Sequence, residues 1–577
     1  MYIKILSRPF LPAPLLLALT THILQLSQAA AQLTSPLGPV VDLGYAAFAG
    51  NSTSPSGILN SNVTFFGGIP YAEPPLGDLR WRAPKNLDEN ATTQDGKITD
   101  ARNWGPPCIQ RPAVVGIGSE DCLTLNVWKP TNASEGDKLP VAVYIHGGGF
   151  YYGTPQGFPL YDWVAQHPTG IIGASITYRL GMLGFLGGPT VDDVDDIDLN
   201  VGLLDQRAGL EWIQRNIANF GGDPDDVTIY GESAGGASMV MHITAYGGTK
   251  PAPFKRVVTE SIGFGPTLTD AQIEEYTTAA VGFVGCPTSG TGIFACMRNA
   301  SLGAIVGAIN FIPNGEFAPV VEGPGGFMPD LPSSLIRSGN FSTVDAVIAG
   351  HCTGDGKTFA GGSPDQFVTD EDIKRIVFTR WPGVSNETQD QALAMYPAPN
   401  TTDPQITSEW DRAWMMAGEI IFTCMDWFLA EAMLNRSVED VFSYAWNVPD
   451  TVLFNAKPYL GAMHTSDLYF LFDGTNTFAN AGNSFTPFNA SELAVSKEAI
   501  AYWTSFAQSG DPSTTKLSTS PEWDLFASTN SNDTRQRMFI TRGNDTATAS
   551  HMQFVSSAER ERCQFWMSEG VTNQTRI

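Results

Sequence analysis

Val227-Thr228-Ile229-Tyr230-Gly231-Glu232-Ser233-Ala234-Gly235-Gly236-Ala237-Ser238-Met239-Val240-Met241-His242-Ile243 carries an apolar run, a glycine-flanked serine and a helix-forming stretch, in that order. The first four residues are β-branched or aromatic, as a buried strand requires, and 237–243 suits a helix. Joining the two demands a sharp turn at Ser233, with a strained backbone and small residues two positions before and after it. The pattern Gly-x-Ser-x-Gly arises by chance roughly 0.4 times in a chain of this length and composition, so its flanks carry the weight. Within them, Ser233 reads as a nucleophile above the carboxyl end of a strand. The dipole of the following helix favours negative charge developing there.

Working outward, runs at 141–145, 171–178, 344–349 and 441–446 are also apolar and short, like strands buried on both faces of a parallel sheet. A crossover helix is expected near 206–216, because Leu203, Leu210, Ile213 and Ile217 share one helical face. Strand–helix–strand order repeated in this way predicts one large, mostly parallel α/β sheet flanked by helices. The Gly/Pro-rich excursion 313–332 is expected to be a loop over it. After the run at 141–145 stands His146-Gly147-Gly148-Gly149-Phe150. The unencumbered N–H groups of Gly148 and Gly149, with that of Ala234, would form a three-donor hole for an oxyanion.

Composition sets the boundaries. The 577 residues are 42% hydrophobic and 16% charged, enough to fill a sizeable core, and the net charge of −26 opposes binding to phosphate backbones or anionic membranes. Nucleic acid is therefore excluded as a partner. Residues 1–31 read as a secretory signal: Lys4 and Arg8 precede the apolar Leu15–Leu19 run, and Ala29-Ala30-Ala31 offers small residues for cleavage. Pro12, Pro14, Gln25, Ser27 and Gln28 keep the apolar stretch short of a membrane span, and the mature chain is expected to have none. Asn-x-Ser/Thr acceptors at Asn51, Asn62, Asn90, Asn132, Asn299, Asn340, Asn386, Asn400, Asn435, Asn489, Asn532, Asn544 and Asn573 suit an extracellular glycoprotein. Seven cysteines, with no metal-ligand spacing among them, suit three disulfides and one free thiol; no metal or cofactor is expected.

The remaining catalytic groups follow from chain order. In this type of fold the nucleophile precedes the acid, and the acid precedes the histidine. His22 lies in the signal, His146 and His167 precede Ser233, His242 follows it too closely, and His351 precedes the expected acid. His464, in a loop after the run at 441–446, is the base; His551, in a polar tail, is the alternative. Just past the run at 344–349, Asp355 is the carboxylate placed to hold the imidazole tautomer. Asp345 and Asp365 are alternatives that do not sit at the strand's carboxyl end.

With these residues in view, the chain resembles the type-B carboxylesterase/lipase family of α/β-hydrolases, which includes cholinesterases and fungal lipases. Gly68-Ile69-Pro70-Tyr71-Ala72-Glu73-Pro74-Pro75-Leu76-Gly77, Ser119-Glu120-Asp121-Cys122-Leu123-Thr124-Leu125-Asn126-Val127-Trp128, Tyr178-Arg179-Leu180-Gly181 and Asn219-Phe220-Gly221-Gly222-Asp223-Pro224 match it in family order. The resemblance implies a single catalytic domain over 32–577, of the secreted fungal carboxylesterase type, with hydrolysis of a small ester through an acyl-enzyme. It implies disulfides Cys108–Cys122, Cys286–Cys296 and Cys424–Cys563, leaving Cys352 as a buried packing thiol. Three departures stand out. The acid is Asp355 where the family usually has Glu, Glu260-Ser261-Ile262-Gly263 replaces the usual Gln-Ser-Gly, and the loop Ile109–Asp121 is short and lacks an aromatic residue. Quaternary ammonium binding needs an aromatic face, and a lipase lid needs length. A lidless esterase is expected, with a long-chain or sterol-ester lipase, or an inactive cholinesterase-like binding protein, as alternatives.

Overall fold

The computed structural model describes residues 34–577 except 53–61, 90–96, 193–196, 291, 314–316, 473–487 and 528–533, so the signal segment lies outside the described residues. Ten strands form the main sheet: β1 (Val63–Pro70), β2 (Thr124–Pro130), β3 (Leu139–Ile145), β4 (Ile172–Ile176), β5 (Gly222–Ser233), β6 (Arg256–Ile262), β7 (Ala346–Cys352), β8 (Asp440–Trp446), β9 (Gln536–Ile540) and β10 (His551–Phe554). Their order is β10-β9-β8-β7-β6-β5-β3-β4-β2-β1. From β4 through β9 all pairings are parallel; β2 and β10 run against the rest, and β1, antiparallel to β2, again runs with the centre. All five expected runs lie in this parallel centre. The expected runs did not include β1, β2 and β10 at the margins, nor β6 and β9 within the centre.

Burial follows the pleat. Along β3, Val141, Val143 and Ile145 join one core cluster while Ala142 and Tyr144 join the other, so both faces are covered. The crossover between β4 and β5 is α1 (Val201–Asn216), five residues longer at its start than expected; Leu203, Leu210 and Ile213 are fully buried. The helix expected after Ser233 is α2 (Ala234–Thr244), buried along its whole length. Because α1 crosses over β3, the chain reverses its winding beside β5, and a doubly wound sheet opens its crevice at such a point.

Three disulfides close as the resemblance implied, Cys108–Cys122, Cys286–Cys296 and Cys424–Cys563, and Cys352 is a buried free thiol. One described helical stretch, Glu409–Asn435, is long and apolar enough to cross a membrane by composition, contrary to the reading of the mature sequence, but 83% of its apolar window is buried inside the molecule. Its middle is a π-helical turn, Glu419–Thr423, between α3 (Glu409–Gly418) and α4 (Cys424–Asn435).

Candidate active site

The turn at Ser233 has the strain its sequence implied. Ser233 closes β5 and caps α2 with φ 59° and ψ −122°, a region non-glycine residues rarely adopt. A Cβ on Gly231 would lie 2.5 Å from the carbonyl oxygen of Gly235, and one on Gly235 would lie 2.2 Å from that of Ile145. Both glycines are therefore obligatory to the elbow. Unlike its buried neighbours, Ser233 is partly exposed.

Facing it is the loop after β3. Gly148 and Gly149 have φ of 103° and 59°, and a Cβ on Gly148 would strike the Tyr152 carbonyl at 2.1 Å. Both glycines thus permit a tight turn, closed where the Tyr151 and Tyr152 N–H groups donate to the Gly148 carbonyl at 3.2 and 3.1 Å. The N–H groups of Gly148 and Gly149 donate to no backbone carbonyl among the described residues. Beside this turn, burial pushes His146 down to about 4, and its ring stacks on Tyr178 at 4.5 Å, so it is a neutral packing group.

Two loops at the carboxyl ends of β7 and β8 bring in the acid and the base. β7 runs on to Cys352, three residues past the apolar run, and Asp355 follows it at the first position of the short helix Asp355–Phe359. The Gly354 N–H donates to the Ala462 carbonyl at 2.8 Å and ties this loop to the one carrying His464. His464 Nδ1 lies 2.8 Å from Asp355 Oδ1, with both side chains buried. The other carboxylate oxygen accepts the Cys352 N–H at 3.0 Å, which Ser261 Oγ also approaches at 3.3 Å. Cys352 thus contributes its backbone, and burial drives its thiol well above the usual range. Phe422, set by the π-helical turn, lies 4.5 Å from the imidazole, and Phe359 meets it edge-on at 5.0 Å. Those rings were not found in the sequence, since a π turn leaves no periodic signature.

The other candidates are elsewhere. His551 is exposed on β10 against Phe539, and His242 is locked to Gln206 at 3.0 Å inside the core. Asp345 is exposed at the amino end of β7, 3.7 Å from Lys255, and Asp365 binds the Ser363 hydroxyl in an exposed turn.

A second group of acids surrounds the imidazole. Glu232 Oε1 lies 3.1 Å from His464 Nε2, although the pair lacks hydrogen-bond alignment and Nε2 has no hydrogen-bond partner. Burial, then the charges of Asp467, Asp355 and Glu260, push Glu232 well above the usual carboxylate range. Burial and Asp355 raise Asp467 to about 6, while the Tyr444 hydroxyl donates to it at 3.1 Å. Glu260 is raised by burial and by Asp467, and among the described residues its side chain accepts from the Trp503 indole N–H alone. Of these acids, Asp355 is the one hydrogen-bonded to the ring. The site holds a strained serine at the end of β5 and an imidazole with Nδ1 against a carboxylate; among the described residues Nε2 has no hydrogen-bond partner, and Ser233 and His464 are not hydrogen-bonded to each other. Such a set can relay a proton.

Three comparisons show which known proteins the chain is similar to. A model described as the carboxylesterase family matches residues 38–566. Lipase 2 of Geotrichum candidum is 28% identical over 79% of this chain and 85% of its own, and bile salt-activated lipase of Bos taurus is 30% identical over 81% and 79%. A secreted lipase of Arthroderma benhamiae is 29% identical over 80% and 83%. Among solved structures, EstA of Aspergillus niger superposes with a TM-score of 0.78 at 28% identity, covering 94% of this chain and 99% of that one.

Proposed function

The chain belongs to the carboxylesterase family and is a carboxylic ester hydrolase, and from that premise we propose that it is a secreted serine esterase working through Ser233, His464 and Asp355. The observation that carries this reading is the 2.8 Å contact between His464 Nδ1 and Asp355 Oδ1, in a chain whose Ser233 forms a strained strand-to-helix elbow. Asp355 fixes the tautomer in which Nε2 bears the lone pair. In that state Nε2 takes the Ser233 proton as Oγ attacks the ester carbonyl. The N–H groups of Gly148, Gly149 and Ala234 receive the oxyanion. The imidazolium returns its proton to the departing alkoxide, and the alcohol leaves. Water, deprotonated by the same nitrogen, then attacks the acyl-enzyme and releases the acid and Ser233. The open Nε2 fits an enzyme without substrate, where catalytic hydrogen bonds are often loose.

Secretion is supported by the three disulfides, the leader-like residues 1–31 and the secreted relative. Among the sequons, Asn90 and Asn532 lie outside the described residues and Asn51 is half-buried; the remaining ten asparagines are exposed, as glycosylation requires.

Substrate size turns on the Cys108–Cys122 loop. Its fourteen-residue separation leaves little chain for a mobile lid, which supports soluble esters as substrates. One observation favours a lipase instead: Val114, Val115 and Ile117 stand exposed at the loop tip by 51%, 62% and 64%. A chromogenic ester series of rising acyl length separates the two, since a lipase gains activity sharply above the substrate's solubility limit. Covalent capture of Ser233 by a fluorophosphonate, abolished by Ser233→Ala, tests the nucleophile. An unlabelled wild-type serine leaves the inactive binding-protein reading standing.

A further inference from the structure

A cavity of about 710 Å³ lies away from the triad, between the helix Pro332–Ser338, α4 and the helix Ser557–Trp566. That volume suits a small organic ligand. Its walls alternate aromatic faces with fixed N–H donors. Arg436 lies over Phe341 at 5.5 Å and Arg337 over Phe428 at 5.6 Å. Arg535 is paired with Glu431 at 2.6 Å, and Arg337 donates to the Met567 carbonyl at 2.7 Å. The indole N–H of Trp427, also in the lining, has no hydrogen-bond partner among the described residues. That nitrogen is itself buried, so Trp427 offers the cavity the face and edge of its ring. Such a lining matches a pyranose, whose C–H faces stack on rings while its hydroxyl and acetamido oxygens accept from N–H groups.

The sequence supplies such a sugar at the rim. Asn435, the exposed last residue of α4, lines the cavity and heads the sequon Asn435-Arg436-Ser437, with Ser437 in an exposed turn at φ 63°. On the opposite wall, Gly339 and Phe341 bracket Asn340, the head of a second exposed sequon. We infer that this cavity is a carbohydrate site occupied by the inner sugars of the N-linked glycan on Asn435, stacked against Trp427 and Phe428. The inference rests on the secretory reading proposed above, but not on the catalytic one.

The test uses full-length protein secreted from a eukaryotic host. Peptide mass spectrometry reads the rate at which peptide-N-glycosidase releases each glycan from the native fold. Asn435 is expected to be occupied and released at least about tenfold more slowly than the exposed Asn132 and Asn386, with the gap lost on denaturation. Trp427→Ala should shrink that gap, and Asn435→Gln should raise acrylamide quenching of tryptophan fluorescence. If the Trp427 variant is not secreted, the wild-type rates and the Asn435 variant still decide. Release of the Asn435 glycan at the common rate overturns the inference, as does a bare Asn435 beside occupied sequons. A chain bare at every sequon overturns the secretory reading as well.

Discussion

Glu232 and Asp355 face opposite nitrogens of one imidazole: Glu232 Oε1 stands 3.1 Å from His464 Nε2 without hydrogen-bond alignment, and Asp355 Oδ1 stands 2.8 Å from Nδ1. Two ionised carboxylates at those distances would fix the ring as imidazolium and disable it as a base. Burial of Glu232, reinforced by Asp467 and Asp355, resolves the conflict by keeping its proton on.

Glu232→Gln imitates that neutral acid, so kcat/KM is expected to stay within about tenfold of wild type, and the acid limb of the pH–rate profile should not move. The sign is definite. An ionised Glu232 would favour the imidazolium, and its removal would shift the acid limb down by roughly one to three units. A downward shift of one unit or more in stopped-flow ester hydrolysis would show that Glu232 is charged in the working enzyme.

Asp355→Asn keeps the shape of the loop but removes the acceptor that selects the Nδ1–H tautomer. The amide can present its N–H to Nδ1, which leaves the proton on Nε2, where Ser233 needs a lone pair. A fall in kcat of about 10⁴-fold is expected, with folding intact. Active-site titration and circular dichroism check both halves. A variant within tenfold of wild type would show that the Nδ1 contact with Asp355 does not carry the acid's role.

The elbow, the glycine loop and the parallel centre were legible because each rests on local chemistry. Gly231 and Gly235 are dictated by a backbone clash, and the 141–145 and 441–446 runs are continuously apolar because both faces are covered. Asp355 and His464 were legible through chain order. The acids Glu232 and Asp467 were not, although one occupies the variable position of the serine motif and the other follows His464 by three residues. What makes them part of the site is burial against one ring, which depends on how β5 and the His464 loop meet. The signal available was a carboxylate inside an otherwise apolar stretch, which warrants asking what keeps it neutral.

The two helix-borne disulfides should differ in worth. Cys424–Cys563 spans 139 residues and Cys286–Cys296 only 10. In the chain-entropy account, closing the longer loop removes about 5 kcal/mol of unfolded-state entropy and the shorter about 3 kcal/mol. Cys424 is also fully buried in α4, whereas Cys286 lies at the edge of the core and Cys296 is half-buried. Calorimetry of Cys424→Ala/Cys563→Ala and Cys286→Ala/Cys296→Ala pairs should show the larger loss of Tm for the first. The reverse order would mean that local strain, not loop length, sets their contribution.

Glu260 gives a prediction about stability, not rate. It is fully buried at the end of β6, one oxygen accepting from Trp503 and the other, Oε2, without a hydrogen-bond partner. Burial, then Asp467, raises it well above its ordinary value. A raised acid binds its proton more tightly folded than unfolded, so it stabilises the fold at low pH. That stabilisation is lost as pH climbs past the unfolded value near 4.5, at up to about 1.4 kcal/mol per pH unit while the folded group stays protonated. Glu260→Gln still accepts from Trp503 but has no proton to lose. The variant's stability, relative to wild type, should therefore rise steadily in urea denaturation series from pH 5 to pH 8. A difference that stays flat across that range would mean that Glu260 is already ionised in the fold, and the acids around His464 would then need a cation that the described residues do not place there.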